Sequence, residues 1–154
     1  MRLISIEIIN KMNTTEGQTP EFDAAWDSAL DKLEENNKEL TSNCPQSLKE
    51  FIKNIVLFNC PTFSRSDGLT EYTFVVANPE EQKIYFLNYE LVGNIEIYNH
   101  DGPAFLKDDP PMWLYDEIHK CENHYEHHIV FSDGKEYLIP FVFFNYRFTD
   151  WFKD

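Results

Sequence analysis

"YEHHIVFSDGKEYLIPFVFF", residues 125–144, is the stretch on which the fold turns. Asp133-Gly134 stands between two apolar runs, and Asp-Gly in that setting is a strong short-range signal for a β-hairpin. A two-residue loop there sets His128 opposite Ile139, His127 opposite Pro140 and Val130 opposite Tyr137. Strand alternation sends Tyr125, His127, Ile129 and Phe131 to one face, and Glu126, His128 and Val130 to the other. Pro140 cannot donate to a ladder, so an edge or a bulge is expected beside it.

The first strand of this hairpin ends a histidine-rich segment, "HKCENHYEHH" (residues 119–128), holding four of the five histidines and one of the three cysteines. His127 and His128 lie on opposite faces and cannot share an ion from a regular strand. At most His119, Cys121 and His124 with one of that pair could converge, at intervals unlike those of structural zinc sites. The reading is therefore a hydrogen-bonded sheet strand, with no metal ligand and no cofactor. Catalytic signals are equally sparse. There is no Gly-rich phosphate loop and no G-x-S-x-G, and the chain has only five glycines. His119 and Cys121 can be drawn as a thiolate–imidazole pair, but three cysteines and five histidines offer such pairs by chance. Glu80-Glu81, Asp108-Asp109 and Asp116-Glu117 are carboxylate pairs in a chain where acids are common. No catalytic residue is assigned and the chain is not expected to be an enzyme. The alternative is a small metal-dependent or Cys/His enzyme built on His119–His128.

Working outward, "RLISIEII" (residues 2–9) is β-branched and reads as a first strand. Thr19-Pro20-Glu21 is a helix start, with an N-cap, a proline in the first turn and an acid. Phe22, Trp26, Ala29, Leu30 and Leu33 then recur at helical period, to an end near Asn36-Asn37. A second helix follows Pro45, striped by Leu48, Phe51, Ile52 and Ile55. "LTEYTFVVA", "KIYFLNYE" and "NIEIYN" read as strands, "HDGPAFLKDDPP" as a loop and "PMWLYDEIHKC" as a short helix. The expected fold is α+β in one domain, residues 1–154. It is a mostly antiparallel sheet, with two N-terminal helices and a short later helix packed on it.

Composition narrows the function. The 154 residues are 42% hydrophobic and 16% aromatic, enough for a core despite a formal charge of −14. Such a surface repels phosphate backbones and anionic lipid, which argues against direct nucleic-acid or membrane partners. Residues 80–126 alone carry eleven acids against Lys83, Lys107 and Lys120, a net −8. Solubility does not require that concentration; a basic protein partner would use it. Aromatic residues interleave with these acids, and rings supply much of the energy of interfaces. The candidate partner-binding residues are Glu90, Glu96, Asp101, Asp108, Asp109, Tyr115, Asp116, Glu117 and Glu122. Cys44, Cys60 and Cys121 form no CxxC pair and read as reduced thiols. The N-terminal stretch lacks the length and cleavage site of a signal peptide, so a cytoplasmic location is expected.

The segment "HHIVFSDGKEYLIPFVFFNYRF" (residues 127–148) resembles the C-terminal hairpin of small bacterial immunity proteins, which accompany contact-dependent inhibition and other polymorphic toxin systems. The shared pattern is a strand, a Ser-Asp-Gly turn and an apolar strand ending in Phe and Tyr. The resemblance covers about one seventh of the chain. It implies a stoichiometric inhibitor that binds a cognate toxin domain, often a basic nuclease, inside the producing cell. The family has no common catalytic motif, so it assigns no residue by position.

Overall fold

The computed structural model describes residues 3–12, 14–66 and 68–151. Three α-helices, α1 (Ile6–Lys11), α2 (Pro20–Thr41) and α3 (Gln46–Asn54), precede seven strands. The strands are β1 (Cys60–Ser66), β2 (Glu71–Asn78), β3 (Lys83–Leu91), β4 (Glu96–Asn99), β5 (Met112–Lys120), β6 (Tyr125–Phe131) and β7 (Lys135–Asp150). Every pairing is antiparallel, and the class is α+β.

The mostly antiparallel sheet expected from sequence closes on itself, which the sequence reading did not include. Neighbours run β3-β2-β1-β5-β6-β7, and β7 returns to pair with β3, giving a six-stranded barrel with β4 as an extra strand on β7. The length of β7 makes closure possible. Its first half pairs with β6 and β4, and its second half, from Phe141 to Asp150, pairs with β3. Between the halves the register skips Val142, since Leu91 faces Phe141 and Glu90 faces Phe143. This bulge lies two residues from Pro140, where an irregularity was expected, and a bulge bends a strand as closure demands. At the β1–β5 seam only Cys60–Trp113 and Pro61–Met112 pair.

Rings fill the interior. Phe74 lies 5.3–6.2 Å from the rings of Tyr72, Tyr89, Trp113, Phe131 and Tyr137. Leu48 and Phe51 of α3 belong to the same apolar cluster, so α3 packs into the barrel core. A second, smaller cluster joins Ile4 and Ile9 to Ala29, with Trp26, Leu33 and Tyr115 against it. That cluster fastens α1 and α2 to the outside of β5. No helix among the described residues is long and apolar enough to cross a membrane.

Four local expectations are corrected. The supposed first strand, residues 2–9, is helical from Ile6, in a helix that runs on to Lys11; Arg2 lies outside the described residues. The Ser5 side chain accepts the Ile8 amide at 3.2 Å as an N-cap, and Glu7 pairs with Lys11 one turn on at 3.5 Å. Those local bonds, with burial of Ile9, override β-branched propensity. Residues 112–120 form β5 rather than a helix, because β6 and β1 offer it a ladder on both sides. The hairpin loop has three residues, not two. Gly134 donates to the Phe131 carbonyl at 3.0 Å, and the Asp133 carboxylate accepts the Lys135 amide at 3.0 Å. Gly134 takes φ +91°, the left-handed closing residue of such a loop. His127 therefore faces Ile139, His128 faces Leu138 and Val130 faces Glu136. Helix α2 also runs past Asn36-Asn37, since Asn36 donates to the Ile118 carbonyl of β5 at 2.9 Å rather than capping a C-terminus.

Candidate functional site

The alternation of β6 separates the two adjacent histidines, as expected from sequence. His127 points into the barrel with 0% exposure. Its Nδ1 is 2.7 Å from the Tyr89 hydroxyl and its Nε2 2.7 Å from Asp116 Oδ2. Asp116 Oδ1 also accepts the Trp113 indole N–H at 3.3 Å. Burial, then the Asp116 carboxylate, push the Tyr89 phenol well above its ordinary value. A protonated Tyr89 donating to Nδ1, with Nε2–H donating to Asp116, uses every polar atom in the chain. Phe74, Phe141 and Phe144 surround the Tyr89 ring. A cavity of about 320 Å³ reaches Asp116 from between α3 and β5, but neither Tyr89 nor His127 lines it.

On the outer face of the same strands the polar groups form a row. Glu117, fully buried, accepts the Leu3 amide at 2.8 Å, the Ile4 amide at 2.9 Å, the Tyr115 hydroxyl at 2.6 Å and His119 Nε2 at 2.9 Å. Burial pushes this carboxyl up, but the bonds from His119, Tyr115, Leu3 and Ile4 outweigh it and hold it at about 2. The His119 ring meets the His128 ring edge-on at 5.2 Å, and His128 Nε2 lies 3.6 Å from Glu126 Oε2. Beyond it, Glu136 Oε1 meets His100 Nε2 at 2.9 Å.

The β5–β6 turn gathers a separate group. Cys121, His124 and Glu126 each bring a ligand atom within 4.8 Å of the other two. The Cys121 thiol donates to Glu126 Oε1 at 3.0 Å, and His124 Nε2 lies 3.8 Å from the same oxygen. Burial and then Glu126 push the Cys121 thiol up to about 11, while the thiol's hydrogen bond pulls Glu126 below its ordinary value. Sequence reasoning grouped His119 with Cys121 and His124 and left out Glu126. In the fold His119 is engaged by Glu117, and Glu126 takes its place.

The candidate partner-binding residues divide by position. Glu96, Asp101, Asp108 and Asp109 are exposed on β4 and on the loop that follows it, which crosses the β6–β7 turn. Three bonds hold this surface to that turn: His100 N–H to the Gly134 carbonyl at 2.7 Å, Leu106 N–H to the Ser132 carbonyl at 2.9 Å, and Lys107 Nζ to the Asp133 carbonyl at 2.8 Å. Among these acids Ile97 and Tyr98 are each 48% exposed and Leu106 is 72% exposed. Glu90, on β3, and Glu122, in the β5–β6 turn, are exposed but lie on other elements. Tyr115 and Asp116 are half-buried in the networks above, and Glu117 is withdrawn from the surface altogether.

No protein-family model matches the chain, and no curated protein does. Sequence reasoning missed Asp116 and Glu117 as core and anchoring groups because it read residues 112–120 as a helix. Read as a strand, their alternation alone sends Asp116 inward with His127 and Glu117 outward with His119.

Proposed function

We propose that this chain is an immunity-type inhibitor. It binds a basic toxin domain stoichiometrically and blocks it, using the surface built around the β6–β7 turn. The observation that carries the reading is the run of exposed acids Glu96, Asp101, Asp108 and Asp109, with exposed Tyr98 and Leu106 between them, on β4 and the loop after it, which His100 and Leu106 tie to the β6–β7 turn by main-chain bonds. Apolar anchors inside a charged rim are the usual anatomy of a specific interface. The surface is net negative: four acids stand against the exposed Lys107, which meets Asp101 at 3.7 Å, and Lys135. Such a rim steers a basic partner and disfavours others. The hairpin resemblance and the charge of −14 agree with this use.

The test is protection of cells from a toxin encoded beside this gene. Wild-type protein should rescue growth, and Glu96→Lys with Asp108→Lys and Asp109→Lys should fail to rescue while remaining folded. Rescue undiminished by the triple change would move the binding face elsewhere.

A further inference from the structure

We propose that the β5–β6 turn is a binding site for a zinc-class divalent ion, held by Cys121 Sγ, His124 Nε2 and Glu126 Oε1. The turn is constructed to converge these groups. Lys120 and Tyr125 form the last ladder pair, and the Cys121 N–H donates to the His124 carbonyl at 2.8 Å. Cys121 and His124 are thereby pinned at the two corners of the turn, with Glu126 on the adjoining strand. A four-coordinate ion with bonds of about 2.0–2.3 Å holds its donor atoms roughly 3.3–3.8 Å apart. The thiol and imidazole stand 3.0 and 3.8 Å from Glu126 Oε1, and all three ligand atoms lie within 4.8 Å of one another, so side-chain rotation brings them onto the ion.

The donor set is selective. A thiolate and an imidazole with one carboxylate suit zinc and its borderline neighbours, not calcium or magnesium, which take oxygen. On binding, the Cys121 S–H bond breaks and a sulfur–metal bond forms. The proton, now shared with Glu126, leaves to water, and the carboxylate exchanges that hydrogen bond for a metal bond.

A second observation points to the same place. His128 Nε2 is buried and has no hydrogen-bond partner among the described residues, although its side chain is only 10% exposed. An orphaned imidazole nitrogen of this kind is costly. It stands 3.6 Å from Glu126 Oε2, the oxygen the ion would leave free, with its ring steadied by His119. His128 is thus placed to orient the ligating carboxylate, the role outer hydrogen-bonding groups play around metals. The site lies at the opposite end of β6 from the docking surface, so the two proposals stand or fall separately.

The test is titration of chelator-treated protein with Co²⁺. Saturation at one ion per chain is expected, with a thiolate-to-cobalt charge-transfer band that Zn²⁺ abolishes by displacement. Cys121→Ser should lose the band and Cys44→Ser should keep it. His124→Ala should weaken Zn²⁺ binding, measured by calorimetry, by ~10-fold or more, and His128→Gln by a similar factor without a change of ligand band. Circular dichroism checks the fold of each variant; if Cys121→Ser unfolds, His124→Ala in the half-exposed turn carries the test. Absence of a thiolate band in the wild type, a band surviving Cys121→Ser, or Zn²⁺ affinity indifferent to His124→Ala would overturn the assignment.

Discussion

Replacing Glu117 with Gln isolates the anchor between β5 and the N-terminal segment. Gln keeps the shape of the side chain but mimics the protonated acid: one oxygen becomes an NH2 group facing donors it cannot accept. Because Gln stands in for the neutral carboxyl, the depression from 4.5 to about 2 converts directly into a loss of about 3 kcal/mol at neutral pH. Counting bonds gives a similar figure. Two of the four donors lose their acceptor altogether, at ~1.5 kcal/mol each. The sign of the pH dependence follows from a folded-state value below the unfolded one. Glu117's contribution is complete above about pH 4.5 and is lost as pH falls toward 2, with roughly half remaining at pH 3. Urea unfolding of wild type and Glu117→Gln at pH 7 and pH 3 measures both quantities. A gap below about 1 kcal/mol at pH 7, or one that does not narrow at pH 3, would refute the anchoring role.

Gly134→Val should destabilise the barrel by roughly 2 kcal/mol or more, because φ is +91° and a Cβ there would meet the His100 carbonyl oxygen at 2.2 Å. Thermal unfolding reads this directly, and an unchanged Tm would contradict the three-residue loop. Tyr89→Phe leaves His127 Nδ1 buried without its hydroxyl partner and should cost about 1–3 kcal/mol. If Tyr89→Phe and His127→Leu prove additive in chemical denaturation, the hydroxyl and the imidazole are not coupled.

The α2 and α3 helices and the strands β2, β3, β4, β6 and β7 are legible because each has a local cause: the Thr19-Pro20 cap, the Leu48–Phe51 stripe, alternation, Asp133-Gly134. Barrel closure is not local. It depends on the second half of β7 meeting β3 across fifty residues or more, and only Pro140 hints at the required bend. Residues 112–120 escape sequence reading for a related reason. Asp116 and Glu117 look like solvated acids until His127 and the Leu3 and Ile4 amides are brought to them. The exposed acids Glu96, Asp101, Asp108 and Asp109 were readable from charge density, whereas the contacts of their loop with the β6–β7 turn through His100, Leu106 and Lys107 were not. Cys121 and His124 were visible as ligand types, but Glu126 joins them only once the turn is closed.

The association rate with the toxin domain, followed by stopped-flow mixing against ionic strength, bears most directly on the proposed function. Raising salt from 0.1 to 1 M shortens the screening length from about 10 to 3 Å. The wild-type rate should therefore fall steeply while dissociation changes less. Reversing Glu96, Asp108 and Asp109 to lysine should slow association by roughly tenfold or more and flatten its salt dependence. A wild-type rate indifferent to salt, or a triple variant that associates as fast as the wild type, would contradict docking through the acidic surface at the β6–β7 turn.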